Sequence, residues 1–283
     1  LIDDMKNAYH ITQPIITKTD KEDYKTVFSD SIMLNVSRGC TRGCRFCMSS
    51  YLYRPLRETT IKELVNIALK TRENTNLNKI TLIGAAVGDY YDLEGLTKAL
   101  ESEGFQIATP SLRIDSLSRE TLETLKKSGL KSITIAPESI STLRERINKS
   151  ISDEKIFSVI KNAVDLDFNI KLYFLIGIPY ESKEDIEELA NYIEKIANMH
   201  KNRNYIKFSI NPVIPKPQTP LQWEVYNFKE IKSKTRYLKK KLRKYNVKFE
   251  SPKKGLIQYI LSCGNREVGA VIEKSLTEEV TLK

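Results

Sequence analysis

Cys40-Thr41-Arg42-Gly43-Cys44-Arg45-Phe46-Cys47 gathers three of the chain's four cysteines within eight residues, directly after the strand-like run Ser31-Ile-Met-Leu-Asn-Val-Ser37. Three thiolates at C-x3-C-x2-C spacing on one tight loop can hold three corners of a cubane iron–sulfur cluster, leaving the fourth iron without a protein ligand. An open coordination position separates a catalytic metal centre from a closed structural one. The spacing therefore points to an iron that takes a substrate or cofactor. A zinc knuckle and a redox thiol group are the alternatives. Zinc needs a fourth ligand, and Cys263, His10 and His200 are single and far apart in sequence. Cys263, in Ser262-Cys-Gly-Asn265, reads as a small buried residue. A loop-borne trio reads as metal chemistry rather than as a disulfide framework.

Outward from this loop, strand-like runs alternate with helical patterns. Residues 31–37, 79–84, 106–113, 131–137, 169–177 and 205–211 read as six strands. Thr60 with Glu63 has capping-box spacing, and Ser118 and the pair Ser182 and Asp185 mark further helix starts. Ile186, Leu189, Ala190, Ile193 and Ala197 fall on one helix face. Six strands alternating with helices call for right-handed βαβ units around a parallel sheet. Periodicity alone leaves a doubly wound sheet open as well.

Polar residues or glycines follow the strand runs: Gly84-Ala-Ala-Val-Gly88-Asp89, Ser111-Leu-Arg113, Ala136-Pro-Glu138 and Gly177-Ile-Pro-Tyr-Glu181. Small residues let backbone approach a ligand, and Asp89 is placed to accept from an ammonium. Singly, Ser111, Arg113 and Glu138 are loop charges or helix caps. Their recurrence at consecutive strand ends, in register with the cysteine loop, favours a site at the carboxyl ends, where α/β barrels carry their chemistry.

Charge is distributed unevenly. The net charge is +10, and residues 226–254 hold twelve Lys or Arg against Glu230 and Glu250 alone, so that segment accounts for all of it. Residues 229–244 read as a helix whose basic side is either a solvated face or a collector of phosphates, as on RNA. No apolar run approaches the length of a membrane span.

Together these motifs resemble the radical S-adenosylmethionine (radical SAM) superfamily, and in particular its cobalamin-binding-type subgroup, a sequence neighbour of the methylthiotransferases and Elongator-type radical enzymes. The runs that carry the resemblance are Arg38–Cys47, Tyr53–Glu58, Pro110–Arg113, Ile135–Glu138, Ile147–Lys149, Lys171–Pro179 and Pro215–Pro220. The resemblance implies an α/β fold, an open (β/α)6 partial TIM barrel over residues 31–223. Residues 1–30 precede it as a linker or extension, and residues 224–283 follow as a short basic helical extension.

The resemblance further implies a 4Fe–4S cluster on Cys40, Cys44 and Cys47, with the amino and carboxylate groups of S-adenosylmethionine on the open iron. One electron then cleaves the sulfonium to a 5′-deoxyadenosyl radical. Gly88 and Asp89 are expected near the cofactor's amino group. Ser111, Arg113 and Glu138 are expected on its ribose or carboxylate, and Phe46, Gly177 and Val213 along its adenine. The implied enzyme is cytoplasmic, takes electrons from a donor such as ferredoxin or flavodoxin, and transfers methyl to an unactivated carbon using cobalamin. Cobalamin-independent radical modification of RNA, and a non-enzymatic metal- or cluster-containing nucleic-acid-binding protein, are the alternatives. Two departures stand out. No cobalamin domain is present in these residues, and the three extra cysteines of methylthiotransferases are missing, since only Cys263 remains.

Overall fold

A computed structural model describes residues 5, 8–14, 28, 30–109, 112–202 and 204–277; Ser111, and most of residues 1–30, lie outside the described residues. The ordered alternation begins with β1 (Ile32–Asn35) and β2 (Ser37–Arg38). After the cysteine loop come α1 (Ser49–Leu52), β3 (Arg57–Glu58), α2 (Ile61–Thr75), β4 (Lys79–Ile83), α3 (Leu93–Ser102), β5 (Gln106–Ala108) and α4 (Arg119–Lys127). Then follow β6 (Ser132–Glu138), α5 (Ser141–Arg146), α6 (Asp153–Asp165), β7 (Asn169–Ile176), α7 (Lys183–Ala197) and β8 (Ile206–Pro212). The chain continues through α8 (Phe228–Lys241), β9 (Val247–Phe249), α9 (Pro252–Cys263) and α10 (Glu267–Thr277).

Strands β6 and β7 show the period-two burial of a one-sided sheet, whereas β4 and β8 bury the intervening Thr81 and Ser209 as well. Ile80 and Leu82 on β4, Ile133 and Ile135 on β6, and Leu172 and Phe174 on β7 are fully enclosed. They share one core with helix residues such as Leu64, Leu96, Leu122, Ile160, Leu189 and Leu238. The intervening strand residues face away from the helices. The strands pair in parallel as β1–β4–β5 and β6–β7–β8–β9. A single parallel bridge between Leu112 and Ile135 joins the two groups. With helices on one face and strands following chain order, the architecture is the expected open α/β barrel.

Two elements differ from the sequence reading. The third strand, read over 106–113 together with its exit loop, is regular over Gln106–Ala108, and among the described residues beyond it Leu112 bridges to Ile135. Pro110 has no N–H to offer a neighbouring strand. Second, β9 adds a parallel strand to β8, with Phe208 beside Val247 and Ile210 beside Phe249. Helix α8 is thus the crossover of one more βαβ unit. Three residues between lysines are too short a run for alternation to reveal. Cys263 also departs from expectation: it is exposed at the end of α9, its thiol donating to the Pro215 carbonyl at 3.4 Å.

Helix starts follow their capping residues. The Glu63 N–H donates to Thr60 Oγ1 at 3.4 Å while the Thr60 N–H donates to Glu63 Oε2 at 3.3 Å, a reciprocal capping box at α2. Ser182 and Asp185 form the same arrangement at α7. Thr60→Ala should lower the stability of the chain by about 1 kcal/mol. A urea unfolding midpoint unchanged by that substitution would mean that packing alone sets the start of α2.

Candidate active site at the carboxyl ends of the strands

The cysteine loop is fixed at both ends. Before it, β2 pairs antiparallel with β3, Ser37 beside Glu58 and Arg38 beside Arg57. Gly39 between them has φ +94°, and a Cβ there would overlap the Tyr53 carbonyl and lie 2.6 Å from that of Pro55. Only glycine fits this turn. Farther along, the loop docks onto residues 146–149, which follow α5. The Arg45 N–H donates to the Ile147 carbonyl at 2.9 Å, and the Arg45 guanidinium to that of Arg146 at 2.8 Å. Asn148 Nδ2 donates to the carbonyls of Gly43 at 2.9 Å and Arg42 at 3.2 Å. Asn148 does so from left-handed backbone (φ +53°), which asparagine tolerates better than most residues.

Cys40 and Cys44 are buried and Cys47 is half-buried, all three as free thiols. The Ser50 hydroxyl donates to Cys40 Sγ at 3.7 Å, and the Cys47 N–H to the Cys44 carbonyl at 3.0 Å. Burial pushes the Cys44 thiol up from its ordinary range, against the pull of Lys149 and Arg113. A metal removes this conflict, since a coordinating thiol is deprotonated outright. The three thiols do not converge as a single-ion site, and among the described residues no three His, Cys, Asp or Glu side chains do so. Two buried thiols and one half-buried on a single loop, with the charges of Lys149 and Arg113 acting on Cys44, fit an anionic iron–sulfur cluster.

Beside Cys44, the Lys149 ammonium donates to Glu138 Oε1 at 2.7 Å, with both side chains about nine-tenths enclosed. Glu138 ends β6 after a bulge and has φ +70°, a left-handed conformation that costs a non-glycine residue energy and marks functional sites. A second cluster sits across the loop. The Arg42 guanidinium donates to both oxygens of Asp89, at 2.9 and 2.7 Å, and reaches Asp115 at 3.2 Å. Arg113 donates to Asp115 at 3.0 and 2.9 Å and lies 3.3 Å from Asp89. Burial opposes the charge on Arg113, but Asp115 and Asp89 outweigh it and hold its pKa above the ordinary value. Burial likewise opposes the Asp115 charge, and Arg113 and Arg42 overcome it, holding that carboxyl below its usual range. Gly88 permits the approach, because a Cβ there would come within 2.7 Å of both the Arg113 nitrogen and Ser116 Oγ.

The expected site residues therefore fall into connected groups. Gly88, Asp89 and Arg113 meet around Arg42 and Asp115, while Glu138 lies behind Cys44. Phe46 and Val213 line one cavity of about 330 Å³ together with Asn211, Lys216, Glu250 and Gln258. Gly177 lies apart from that cavity, on a larger one of about 700 Å³ that also reaches Val213. Arg42, Asp115, Asn148 and Lys149 carry no role legible from the sequence, although Ile147-Asn-Lys149 is one of the runs that carry the resemblance. Gln258 on α9 and Glu250 after β9 show that the C-terminal segment closes one wall of the site.

The larger cavity has a buried ion pair in its wall. Glu181 Oε2 accepts from the Gly177 N–H at 2.8 Å and from Lys234 of α8 at 2.8 Å, whereas Oε1 is buried and has no hydrogen-bond partner of ordinary distance and angle among the described residues. Burial raises the Glu181 carboxyl above its ordinary range, opposed chiefly by Lys234. Lys234→Met leaves that carboxyl enclosed without its cation, at a cost of about 3–5 kcal/mol. An acid raised on folding contributes stability below its unfolded pKa, about 4.3, that is lost as pH rises through the folded value. The deficit of the variant should accordingly be larger at pH 8 than at pH 5, as read by melting temperature. Equal deficits at both pH values would show that Glu181 is not charged opposite Lys234.

Fold and site together describe a partial α/β barrel with a thiolate loop at the carboxyl ends of its strands. Residues 34–193 match the model of the radical SAM superfamily, and the chain belongs to that superfamily. Its members use a 4Fe–4S cluster and S-adenosylmethionine, and the chain is accordingly an enzyme of the radical SAM class. An uncharacterised protein of Methanocaldococcus jannaschii is 35% identical over 270 residues, covering 93% of this chain and 58% of that protein. The cytidylyl-2-hydroxyethylphosphonate methyltransferase of Streptomyces wedmorensis is 28% identical over 181 residues, covering 60% of this chain and 34% of the enzyme. The chain thus spans about a third to three-fifths of the length of these relatives. Among solved structures, the radical S-adenosylmethionine methyltransferase TsrM of Kitasatospora setae, with cobalamin and a [4Fe–4S] cluster bound, superposes with a TM-score of 0.57 at 10% identity. That match covers 69% of this chain and 39% of TsrM, and supports the fold. Among the described residues no helix is long and apolar enough to cross a membrane.

Proposed function

We propose that Cys40, Cys44 and Cys47 hold the 4Fe–4S cluster of a radical SAM methyltransferase that works with cobalamin on an unactivated carbon. The observation that carries the first part is the docked, enclosed thiol loop with Lys149 and Arg113 behind Cys44. When bound, the cluster supplies the electron that cleaves S-adenosylmethionine. Phe46 and Val213 bound a cavity of a size suited to the adenine end of that molecule. Asp89 and Arg113 present a carboxylate and a guanidinium for its ammonium and carboxylate, and Arg42 holds Asp89 in place. Gly177, whose N–H donates to Glu181, lines the neighbouring larger cavity instead.

The methyl-transfer part rests on the Streptomyces wedmorensis methyltransferase among the relatives. Anaerobic turnover with S-adenosylmethionine, dithionite and hydroxocobalamin separates the readings by product. Formation of S-adenosylhomocysteine together with 5′-deoxyadenosine is the expected result. 5′-Deoxyadenosine alone would overturn methyl transfer and return attention to other radical chemistry, RNA modification included. Absence of both products would overturn the whole assignment.

A further inference from the structure

The face of the sheet turned away from the helices carries a row of lysines. On β7 and β8, Lys171 and Lys207 alternate with the buried residues and are register partners. On β9, Lys248 pairs with Ser209, one pleat farther toward the carboxyl ends. Parallel strands lie about 4.8 Å apart, so these ammonium groups stem from neighbouring positions on one surface. All three are exposed, and none makes an ion pair among the described residues. By contrast Lys79, on β4, is matched by Asp30 at 3.1 Å. The Lys171 ammonium lies 4.7 Å from the centre of the Tyr173 ring, which places it toward the carboxyl end of its own strand.

Like charges opposite one another across a strand pair are destabilising. A bound anion would reverse that cost. The inner-face row two pleats above Lys171 consists of Leu175, Asn211 and Glu250, which line the Phe46 cavity. Four residues of strand, about 13 Å, separate Lys171 from Leu175. A molecule reaching from the lysines to that cavity is elongated, with its charge at one end.

We infer that Lys171, Lys207 and Lys248 form an anion-binding floor for the substrate, which carries a phosphate or carboxylate group at the end remote from its reacting carbon. The position of the reacting end rests on the radical reading above; the anion site does not. Lysine suits this role as a flexible point charge that accepts either anion.

The test is calorimetric titration of the reconstituted chain with inorganic pyrophosphate and, separately, with citrate, at low ionic strength. One saturable site per chain is expected. Lys171→Gln with Lys207→Gln should weaken it at least tenfold, the equivalent of about 1.4 kcal/mol. Lys240→Gln with Arg243→Gln, at and just beyond the basic end of α8, should leave it unchanged. Preference for pyrophosphate assigns a phosphoryl group to the substrate, and preference for citrate a carboxylate. Absence of a site, undiminished binding in the β7–β8 variant, or loss in the α8 variant instead would each overturn the inference. Failure of the radical reading is separately visible, because 5′-deoxyadenosine would be missing while the lysine-dependent site persisted.

Discussion

Cys44→Ala is expected to lower the iron content of the anaerobically reconstituted chain from about four per molecule, the content of one cubane, to background, and to abolish S-adenosylmethionine cleavage with it. Cys44 is the thiol at the centre of the loop, enclosed and faced by Lys149 and Arg113. Its removal leaves two thiols that cannot hold a cubane alone. The fold should survive, because the loop is docked by backbone groups rather than by the thiol. The Arg45 N–H and the Gly43 carbonyl make those contacts, and alanine disturbs neither. A variant that keeps native secondary structure and its full iron content would show that Cys44 is not a ligand. Loss of secondary structure together with iron would instead show that the thiol maintains the loop.

Arg144→Met should destabilise the protein by about 2–6 kcal/mol, because two buried carbonyls lose their donor. The Arg144 side chain is completely enclosed and donates to the carbonyls of Ser139 and Ile151 and to Asp153. These contacts tie together the turn after β6, helix α5 and the entry to α6. The segment between α5 and α6 carries Asn148 and Lys149, which grip the cysteine loop and Glu138. Methionine fills similar volume but leaves two buried carbonyls without donors, each worth about 1–3 kcal/mol. The variant should therefore also reconstitute with less iron than its residual folded fraction predicts, since the dock for the loop loosens. A shift in the denaturation midpoint of less than 1 kcal/mol would mean that water or neighbouring groups replace the guanidinium. Normal iron content per folded molecule would mean that Arg144 acts on stability alone.

The parts of the fold legible in the sequence are those with a local physical code. Short runs rich in Ile, Leu, Val and Phe between helical patterns identify β1, β4, β6, β7 and β8, because their buried residues face one shared helical layer. Thr60, Ser118 and Ser182 announced their helices through side-chain oxygens that accept from the backbone three residues later. The short β9 escaped because its pairing is set by the edge of β8 and not by any pattern within Val247–Phe249. Much the same holds for the site. The cysteines are adjacent in sequence, so their spacing speaks for itself. Arg42 meets Asp89 across 47 positions, and Asn148 meets Gly43 across 105, so only the folded chain brings them together. Glu138 was legible as a polar strand end, but its partner Lys149 emerges only from the turn that Arg144 holds.

Continuous-wave electron paramagnetic resonance of the dithionite-reduced, reconstituted chain, recorded with and without S-adenosylmethionine, tests the central claim most directly. Three cysteine ligands leave one iron open to the cofactor. The predicted result is a reduced 4Fe–4S signal whose line shape shifts on addition of S-adenosylmethionine, and which is absent from Cys44→Ala. A chain that takes up one zinc and no iron, or an iron–sulfur signal indifferent to S-adenosylmethionine, would contradict the account.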